Sequence, residues 1–540
     1  MTKFIVVVGG VISGVGKGVA TASIGRIMKE YGFSTTAVKI DPYINYDAGT
    51  LRPTEHGEVW VTDDGGEIDQ DLGNYERFLG ISIPKKNNIT TGQVYKAIID
   101  KERKGEFLGE TVQFIPHIPN EIKKRIKEAA DNFDICLVEI GGTVGDYENI
   151  PFLFAMKSLE REIGKENIIY ALVTYLPIPS HIEEMKTKPT QTSIKLLGQE
   201  GIQPDFILCR GKKALDAVRK KKIEMYANIA SEYIISMPDV TGIGTPNTIY
   251  TIPLDLEKEE LGKKILNKLS LEKKKEPDWS TWKDRVEKIV APEYIVKVAI
   301  VGKYLDIGDY QLKDSYISIN EALKHAGANN NTRIDIEWID SKDFEKNPET
   351  IEKLREFKGI IVPGGFGSSG VEGKIKAIKF CRENNIPFLG LCYGLQLAVV
   401  EFARSVCNLD ANTSEVNRGC MHPVIDILPE QRKIEDKGAT MRLGAYKAIL
   451  KENSRVYDLY KSVEVWERHR HRYEVNPAYH EILENSGLIF SGISEDKRLV
   501  EFIELPEHKF FIATQAHPEF KSSLLKPAPL FDGFVKACLG

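Results

Sequence analysis

One cysteine of the chain stands in a sequence that would expose a nucleophile. Cys392 is flanked by Gly390 and Gly394, follows the apolar run 387–391 and precedes the helical pattern 395–404. Glycines on both sides allow a tight turn from strand to helix, and such a turn holds its central side chain out toward a substrate. The N-terminus of the following helix lowers the pKa of the thiol. The pattern therefore predicts a reactive thiolate at Cys392.

A thiolate that attacks a carbonyl carbon needs a base, an acid that orients the base, and donors for the oxyanion. His517 and Glu519, after a later apolar run, supply the base and the acid. Gly364-Gly365 and the N–H group of Tyr393 are suitable oxyanion donors. The alternative for any one cysteine is a buried structural thiol. The combination of elbow, glycine pair and His-x-Glu favours a Cys392–His517–Glu519 triad.

A glycine-rich segment near the N-terminus has the residues of a phosphate cradle. The apolar run Phe4–Val8 leads into Gly9–Gly18, and a helical pattern begins at Val19. The N–H groups of such a loop, the helix N-terminus and the charge of Lys17 all attract phosphate. Gly18 replaces the usual Ser or Thr ligand for Mg²⁺, so carboxylates must hold the metal. The alternative is an ordinary glycine turn.

Two carboxylates are candidates for that metal. Glu139 ends an apolar run, and side chains at the carboxyl ends of parallel strands face the ligand crevice. Asp71 ends the acidic segment 63–71, whose spacing does not fit an EF-hand, so calcium is not implied. Mg²⁺ bound to a nucleoside triphosphate takes one or two carboxylates plus phosphate oxygens. The alternative for Asp71 taken alone is a solvated surface acid.

The length and composition exclude several classes of protein. The 540 residues exceed a single hydrophobic core and predict two large domains. A net charge of −5 without a long basic stretch argues against nucleic-acid or membrane partners. With no long apolar run, we expect a cytoplasmic protein. The seven cysteines contain no Cys-x-x-Cys pair, so neither a disulfide framework nor a zinc site is expected.

Apolar runs alternate with amphipathic helical stretches in both halves of the chain. This alternation predicts an α/β protein with two doubly wound domains, each with a mostly parallel sheet flanked by helices. The predicted strands are 4–8, 35–40, 135–140, 168–173 and 206–209, then 298–301, 334–338, 359–362, 387–391 and 511–514. We place a first domain at 1–270, a charged linker or connecting helix at 271–292 and a second domain at 293–540.

Phrases along the whole chain resemble known families. Residues 363–367, 390–394 and 517–519 resemble class I glutamine amidotransferase domains. The N-terminal half resembles the synthetase domain of the CTP synthase family. That resemblance rests on residues 9–18, 39–45, 56–59, 71–78, 138–146, 186–191 and, nearer the C-terminus, 467–476. The phrases keep the family's order over essentially the whole chain.

The resemblance implies an activity. ATP would activate UTP as a 4-phosphorylated intermediate, and ammonia freed from L-glutamine would convert it to CTP, the final step of de novo CTP synthesis. Mg²⁺ would accompany ATP, without a prosthetic group, and GTP would stimulate while CTP inhibits. A homotetramer would build the UTP site from subunit contacts, and filaments are compatible with catalysis. Ammonia would need an enclosed passage between the two domains. His56 would line this passage, and the alternative is that it is a structural histidine.

The resemblance also implies residue roles. For ATP and its metal they are Gly14, Val15, Gly16, Lys17, Gly18, Val19, Lys39, Asp71, Glu139, Asp239 and Val240. For UTP or CTP they are Ser13, Asp146, Tyr147, Glu148, Lys186, Thr187, Lys188, Pro189, Thr190, Gln191 and Lys222. For glutamine they are Gly365, Tyr393, Gly394, Leu395, Gln396, Glu415 and Arg472. Glu415 suits the α-ammonium group and Arg472 the α-carboxylate.

Three positions depart from the family's pattern. Ser368-Ser369-Gly370 replaces a loop that carries arginine in many members, which bears on GTP activation. Pro238 stands where lysine is usual, so adenine contacts there come from the backbone. Ala516 replaces a bulkier residue, from which we infer nothing.

Other functions remain to be weighed against this one. The segment 468–472, with its arginines and histidines, has the composition of a short nucleic-acid patch, although the net charge argues against it. Another amidotransferase-coupled ligase, of the cobyrinate or dethiobiotin type, would not need the lysines of 186–191. A switch ATPase or filament scaffold would not need a complete triad.

Overall fold

The chain forms two compact units, each built around its own sheet. The computed structural model describes residues 1–52, 57–181, 184–240, 248–303, 306–307, 310–311, 313–427 and 441–540. One unit comprises residues 1–48 and 71–286, and the other comprises residues 49–70 and 287–540. Residues 49–70 lie within the first predicted domain along the chain, yet they pack with the second unit. His56 lies outside the described residues.

The first unit contains a seven-stranded parallel sheet in the order β3-β2-β4-β1-β5-β6-β7. Its strands are β1 Lys3–Gly9, β2 Thr35–Asp41, β3 Asn88–Thr90, β4 Ile135–Ile140, β5 Ile168–Tyr175, β6 Phe206–Gly211 and β7 Ile234–Pro238. Its helices are α1 Lys17–Glu30, α2 Asp71–Leu79, α3 Thr91–Arg103, α4 Phe114–Ala130, α5 Ile150–Ile163, α6 Lys188–Gln199, α7 Ala217–Ala227, α8 Ile252–Lys258, α9 Leu261–Lys268 and α10 Ser280–Val290, the last of which runs across the boundary.

All five strands predicted for this half are confirmed, and they form the centre of the sheet. They are nearly continuous buried runs, because helices cover both faces of a parallel sheet. The edge strands β3 and β7 escaped prediction, since one has only three residues and the other ends in a proline. The predicted start of the first helix at Val19 is wrong: α1 begins at Lys17, after Gly16 in the left-handed region.

The second unit contains a nine-stranded sheet in the order β9-β8-β10-β11-β16-β15-β14-β12-β13. These strands are β8 Tyr294–Gly302, β9 Thr332–Asp340, β10 Gly359–Val362, β11 Phe388–Leu391, β12 Arg442–Leu450, β13 Glu464–His471, β14 Ile489–Ser494, β15 Val500–Glu504 and β16 Phe511–Thr514. Shorter strands are Val59–Val61, Glu67–Asp69, Asp306–Ile307, Tyr310–Gln311, Ala411–Thr413, His422–Ile427 and Tyr473–Val475. The helices are α11 Ile317–Asn329, α12 Ser341–Lys346, α13 Val371–Glu383, α14 Tyr393–Ser405, α15 Arg455–Tyr460, α16 His480–Asn485 and α17 Pro529–Leu539.

The α/β fold class is confirmed, and the second sheet adds an antiparallel half that the sequence did not reveal. Strands β9, β8, β10, β11 and β16 pair in parallel, and all five were predicted. Strands β15, β14, β12 and β13 pair antiparallel. Buried and partly exposed residues alternate along β12, so its sequence lacks the continuous apolar run that marks a covered strand.

The predicted linker contains the helix α10, whose N-terminal part belongs to the first unit. Trp282 of this helix is 1% exposed, and its ring lies 5.6 Å from Phe78 and 5.8 Å from Tyr250. Apolar burial therefore anchors this part of the linker. Across the described residues, no helix combines the length and apolar character that crossing a membrane requires.

Candidate functional site

The glycine-rich loop follows β1 at the carboxyl edge of the first sheet. Gly14 and Gly16 have φ angles of +68° and +93°, which glycine adopts without strain. The Lys17 amine donates to the Gly142 carbonyl at 2.6 Å. A Cβ atom on Gly9 would come within 2.7 Å of that amine, so a side chain at this position would displace Lys17 from its present place. The loop has the backbone and the charge to bind phosphate.

Four charged side chains lie together near this loop: Lys17, Lys39, Asp71 and Glu139. The Lys39 amine is 2.7 Å from Asp71 Oδ2 and 2.8 Å from Asp41 Oδ1. Burial lowers the pKa of Lys17, although the charge of Glu139 opposes that shift. Lys17 therefore carries its charge at the cost of desolvation, which the phosphates of a bound nucleotide would offset.

Glu139 at the end of β4 is suited to bind a metal ion. Its side chain is buried, and the Tyr75 hydroxyl donates to its carboxylate. Burial and then the charge of Asp71 raise the pKa of Glu139 to about 7, against the opposing effect of Lys39 and Lys17. A divalent cation shared by Glu139 and Asp71 would stabilise both anions, so the pair fits Mg²⁺. No cluster of three or more His, Cys, Asp or Glu side chains that could hold a metal by itself occurs among the described residues.

Arg210 belongs to this site and was missed by the sequence reasoning. Its guanidinium group donates to the Gly14 carbonyl at 3.0 Å and to Asp239 Oδ1 at 3.1 Å. It thereby joins the phosphate loop to the residues predicted on the adenine side, where Val240 is buried. Its place near the carboxyl end of β6 was the available signal.

Helix α6, which carries four of the residues predicted for UTP, contacts the phosphate loop. Residues 188–191 open α6, and the Val11 N–H group donates to Ser193 Oγ on the same helix at 3.1 Å. Asp146 accepts from the Thr143 N–H group at 3.0 Å and from its hydroxyl at 2.6 Å. Ser193 therefore joins α6 to the phosphate loop.

A second group of predicted UTP residues surrounds an acid. The Lys186 amine lies 2.7 Å from Glu184 Oε2, and Arg219 lies 3.5 Å from Oε1. The hydrogen bond from Lys186, together with the charges of Arg219 and Lys222, lowers the pKa of Glu184. Three cations thus stand near one carboxylate. The exposed members of the predicted set include Ser13, Asp146, Tyr147, Glu148 and Lys222.

Cys392 occupies a strained turn between β11 and α14. Its φ of +50° and ψ of −99° form a combination that side-chain-bearing residues rarely adopt. Its N–H group donates to the Thr514 carbonyl at 2.7 Å. A Cβ atom on Gly394 would come within 2.2 Å of the Val362 carbonyl oxygen. The backbone therefore has the shape of a nucleophile elbow, and the adjacent glycine is a steric requirement.

His517 connects the thiol to a buried carboxylate. Its Nδ1 atom lies 2.7 Å from Glu519 Oε1, and its ring is near enough to Cys392 for the charge of that residue to raise the pKa of His517. Burial lowers the pKa of His517, but the charges of Glu519 and Cys392 outweigh this effect and raise it to about 10. The ring also stacks on Phe520 at 5.2 Å. Gln515, a neighbour not predicted, donates to the Cys392 sulfur at 3.7 Å.

The glycine turn expected to bind the oxyanion packs against this triad. A Cβ atom on Gly364 would come within 2.9 Å of His517 Cε1. The fully buried Lys374 amine lies 5.4 Å from the centre of the Tyr393 ring and 3.6 Å from where a Gly365 Cβ would be. No hydrogen-bond acceptor for this amine occurs in the described part of the chain. Burial and then the charge of Lys303 lower the pKa of Lys374 to about 7.

The residues predicted for glutamine line the same region, with one exception. Glu415 Oε1 accepts from the Gly367 N–H group at 2.8 Å, and burial raises the pKa of Glu415. Gln396 donates to the Tyr473 carbonyl at 2.9 Å. The Leu395 side chain is buried in the hydrophobic core. Gly365 and Arg472 are partly exposed, while Tyr393 and Gly394 are buried at the start of α14.

The arginine and histidine run does not form an exposed basic patch. Along β13 the side chains alternate between two faces. Arg468, His469 and His471 are all at most 5% exposed. The Nδ1 atom of His469 lies 2.9 Å from the Nε2 atom of His471. Burial of these residues removes the basis of the nucleic-acid interpretation.

Comparisons with known proteins identify the families that the two halves of the chain match. Residues 3–271 match the family described as CTP synthase N-terminus, and residues 311–537 match glutamine amidotransferase class-I. The chain is 53% identical over 544 residues to the CTP synthase of Methanocaldococcus jannaschii, covering 100% of this chain and 98% of that protein. It is 53% identical over 539 residues to the CTP synthase of Pyrococcus abyssi, covering 99% and 98%. The glutaminase domain of Trypanosoma brucei CTPS with bound acivicin is 40% identical, with a TM-score of 0.42 over 45% of this chain and 94% of that chain.

Proposed function

Because the chain belongs to the CTP synthase family, we propose that the residues described above carry out two linked reactions. The chain is a glutamine-hydrolysing carbon–nitrogen ligase that converts UTP to CTP in pyrimidine biosynthesis. The observation that carries the proposed residue roles is the presence of a buried Cys–His–Glu network in one unit and a phosphate loop with paired lysines and carboxylates in the other.

In the second unit, the Cys392 thiolate attacks the side-chain amide carbon of glutamine. The oxyanion that forms accepts hydrogen bonds from the Gly364-Gly365 turn and the N-terminus of α14. His517 gives its proton to the leaving nitrogen, and Glu519 keeps the imidazolium oriented. Water then hydrolyses the thioester, releasing glutamate and restoring the thiol. Glu415 and Arg472 hold the α-ammonium and α-carboxylate groups of the substrate.

In the first unit, the γ-phosphoryl group of ATP moves to O4 of UTP. Lys17 and Lys39 neutralise the charge that develops on the transferring group. Ammonia attacks C4 of the 4-phosphorylated intermediate, and inorganic phosphate leaves with the former O4 oxygen. Lys186, Lys188 and Lys222 bind the UTP triphosphate, and CTP inhibits by occupying these same contacts. Asp239 and Val240 support the adenine side.

Asp71 and Glu139 would hold Mg²⁺ against the ATP phosphates. When bound, the ion supplies Lewis-acid charge stabilisation to the phosphoryl group. The ion pair with Lys39 at 2.7 Å orients the Asp71 carboxylate, and burial raises the pKa of Glu139 to about 7.

The intermediate is tested with UTP labelled with oxygen-18 at O4. If phosphorylation precedes amination, the label appears in inorganic phosphate, whether glutamine or ammonia is the nitrogen donor. Label retained in any other product would contradict the proposed step. Mass spectrometry of the released phosphate makes the measurement.

Regulation and assembly form part of the proposal. Several predicted UTP residues are exposed on the single chain, which supports a site completed by other subunits of a homotetramer. GTP stimulation is expected for glutamine-driven turnover and not for ammonia-driven turnover, because GTP acts on the glutaminase reaction. Rates measured with each donor, with and without GTP, separate the two cases.

A further inference from the structure

A short hairpin from the N-terminal half of the sequence packs with the amidotransferase unit. Strand Val59–Val61 pairs antiparallel with Glu67–Asp69, and the loop between them contains Asp63. We call residues 59–69 the support hairpin. It lies inside the range that matches CTP synthase N-terminus and outside the range that matches the amidotransferase family. It ends one residue before Gln70 and two before Asp71.

Two carboxylates of the support hairpin bind two arginines of β13. Arg468 Nε donates to Asp63 Oδ1 at 2.5 Å, and Arg470 Nε donates to Glu67 Oε1 at 2.8 Å. Each pair has one buried side chain: Arg468 is 1% exposed and Glu67 is fully buried, whereas Asp63 and Arg470 are 36% and 24% exposed. The arginines are two residues apart, so their side chains leave β13 on the same face. Charge-assisted hydrogen bonds at buried positions fix side-chain geometry strongly.

The backbones of these two arginines contact both members of the catalytic pair. The His517 N–H group donates to the Arg468 carbonyl at 2.7 Å. The Cys392 sulfur lies 3.9 Å from the Arg470 carbonyl. Each arginine therefore meets a hairpin carboxylate through its side chain and a triad residue through its backbone.

An aromatic stack provides a second, independent connection. The Trp60 ring of the support hairpin lies 5.0 Å from Phe520, and Phe520 stacks on His517 at 5.2 Å with an interplanar angle of 20°. The Arg468 guanidinium group also lies 5.3 Å from the Trp60 ring. Trp60 is fully buried, so its position is fixed by packing.

We infer that the support hairpin, through Asp63, Glu67 and Trp60, positions His517 and Cys392 for glutamine hydrolysis. The inference rests on the proposed roles of Cys392 and His517. The hairpin residues are positioning residues, because the contacts given above reach the triad through Arg468, Arg470 and Phe520. Glutaminase activity in this chain therefore depends on a segment supplied by the synthetase half of the sequence. A displacement of the pair by a fraction of an ångström is enough to lower a rate severalfold or more.

The test uses Asp63→Asn and Glu67→Gln in the full-length chain. Each change keeps the side-chain shape and removes the charge that holds an arginine. We expect glutamine-driven CTP formation to fall roughly tenfold in each variant, while ammonia-driven formation stays within about twofold. Asp63→Glu keeps a carboxylate and should retain most of the glutamine-driven rate. Glu401→Gln is the matched control, because Glu401 is a buried acid of the same unit paired with Arg382 at 2.8 Å.

A second readout separates positioning from general destabilisation. Alkylation of Cys392 by iodoacetamide, followed at the level of its peptide across pH, reports the thiolate that His517 maintains. Both hairpin variants should alkylate more slowly than wild type near neutral pH, with the apparent thiol pKa moved upward. Glu401→Gln should keep the wild-type profile even if its melting temperature drops.

The outcomes distinguish this inference from the proposed function. If Cys392→Ala still hydrolyses glutamine, the triad assignment itself is wrong. If Cys392→Ala is inactive while Asp63→Asn and Glu67→Gln keep wild-type rates and alkylation profiles, only the support hairpin inference is overturned. Equal losses with glutamine and with ammonia would also overturn it, because the effect would then not be specific to the triad.

Discussion

The nucleotide site and the thiol site differ in how their charged side chains are stabilised. In the first unit, two lysines and two carboxylates lie together, and Lys17 and Glu139 both have shifted pKa values because burial opposes their charges. In the second unit, His517 Nδ1 lies 2.7 Å from Glu519 Oε1, so the opposite charges of this pair stabilise each other. In the proposed reactions, the nucleotides and their metal ion complete the first site with their charges. The second site is already assembled when the neutral side-chain amide of glutamine binds. Substitutions in the two sites should therefore lower activity for different physical reasons.

The largest effect is expected for Glu139→Gln. The change removes one of the two proposed metal carboxylates, so CTP formation should fall at least about a hundredfold with either nitrogen donor. Glu121→Gln is the matched control, since Glu121 is another buried acid of the first unit and pairs with Lys101 at 2.6 Å. A Glu139→Gln variant that still makes CTP from ammonia at the wild-type rate would remove this residue from the site.

A somewhat smaller effect, limited to glutamine, is expected for Glu519→Gln. Loss of the carboxylate leaves the His517 imidazolium without its partner, and the glutamine-driven rate should fall roughly a hundredfold. Ammonia-driven CTP formation should be unchanged. An equal fall with both donors would contradict the separation of the two sites.

The same substitution should change stability in a pH-dependent way. The pKa of His517 is raised from 6.5 to about 10, so its protonation stabilises the folded state fully below the unfolded value of 6.5. This stabilisation is lost as pH rises through about 10. The stability difference between wild type and Glu519→Gln should therefore be largest in mild acid and shrink in alkali. Calorimetric melting across that range measures it.

The Mg²⁺ requirement should depend on the protonation of Glu139. Below a pKa of about 7 this carboxyl group gains a proton, which a metal ion must displace. The Mg²⁺ concentration for half-maximal ammonia-driven activity should rise as pH falls through that value. Tyr75→Phe removes a hydrogen bond that lowers the pKa, so its requirement should begin to rise at a slightly higher pH. Identical Mg²⁺ titrations for both proteins at every pH would refute this explanation.

The smallest expected effect on activity, with a clear effect on stability, is that of Lys374→Met. The pKa of this buried amine falls from 10.5 to about 7, so carrying its proton opposes folding. Methionine should stabilise the protein by roughly 2–4 kcal/mol near neutral pH. The gain should diminish as pH rises toward 10.5, where the unfolded chain also loses the proton. A variant less stable than wild type would mean that the amine has a stabilising partner in the folded protein.

The strands that position the site residues were predictable from the sequence where both faces of the strand are buried. The central strands β1, β4, β11 and β16 are continuous apolar runs, and the glycines around Cys392 marked the elbow by composition alone. The antiparallel strands β12 and β13 were not predictable in the same way, because their polar residues face partners rather than solvent. From the sequence alone, Arg468 would be assigned to the surface. The structure shows that it is buried and donates a hydrogen bond to Asp63.

Sequence reasoning also could not find side chains whose role depends on distant segments. Gln515 carries no motif and Arg210 is marked only by its place near the end of β6, and it is the sheet order that brings Arg210 to Gly14 and Gln515 to Cys392. The support hairpin illustrates the same limit at a larger scale. Its residues lie some four hundred positions from β13 in the sequence, so no local pattern could connect Glu67 to Arg470.

The most direct test of the two-site account is the ratio of glutamine-driven to ammonia-driven CTP formation in Cys392→Ala. The account predicts a ratio near zero, because ammonia-driven turnover needs only the nucleotide site and should match wild type. If Cys392→Ala loses both reactions together, or keeps the glutamine-driven one, the assignment of separate chemistry to the two units is wrong.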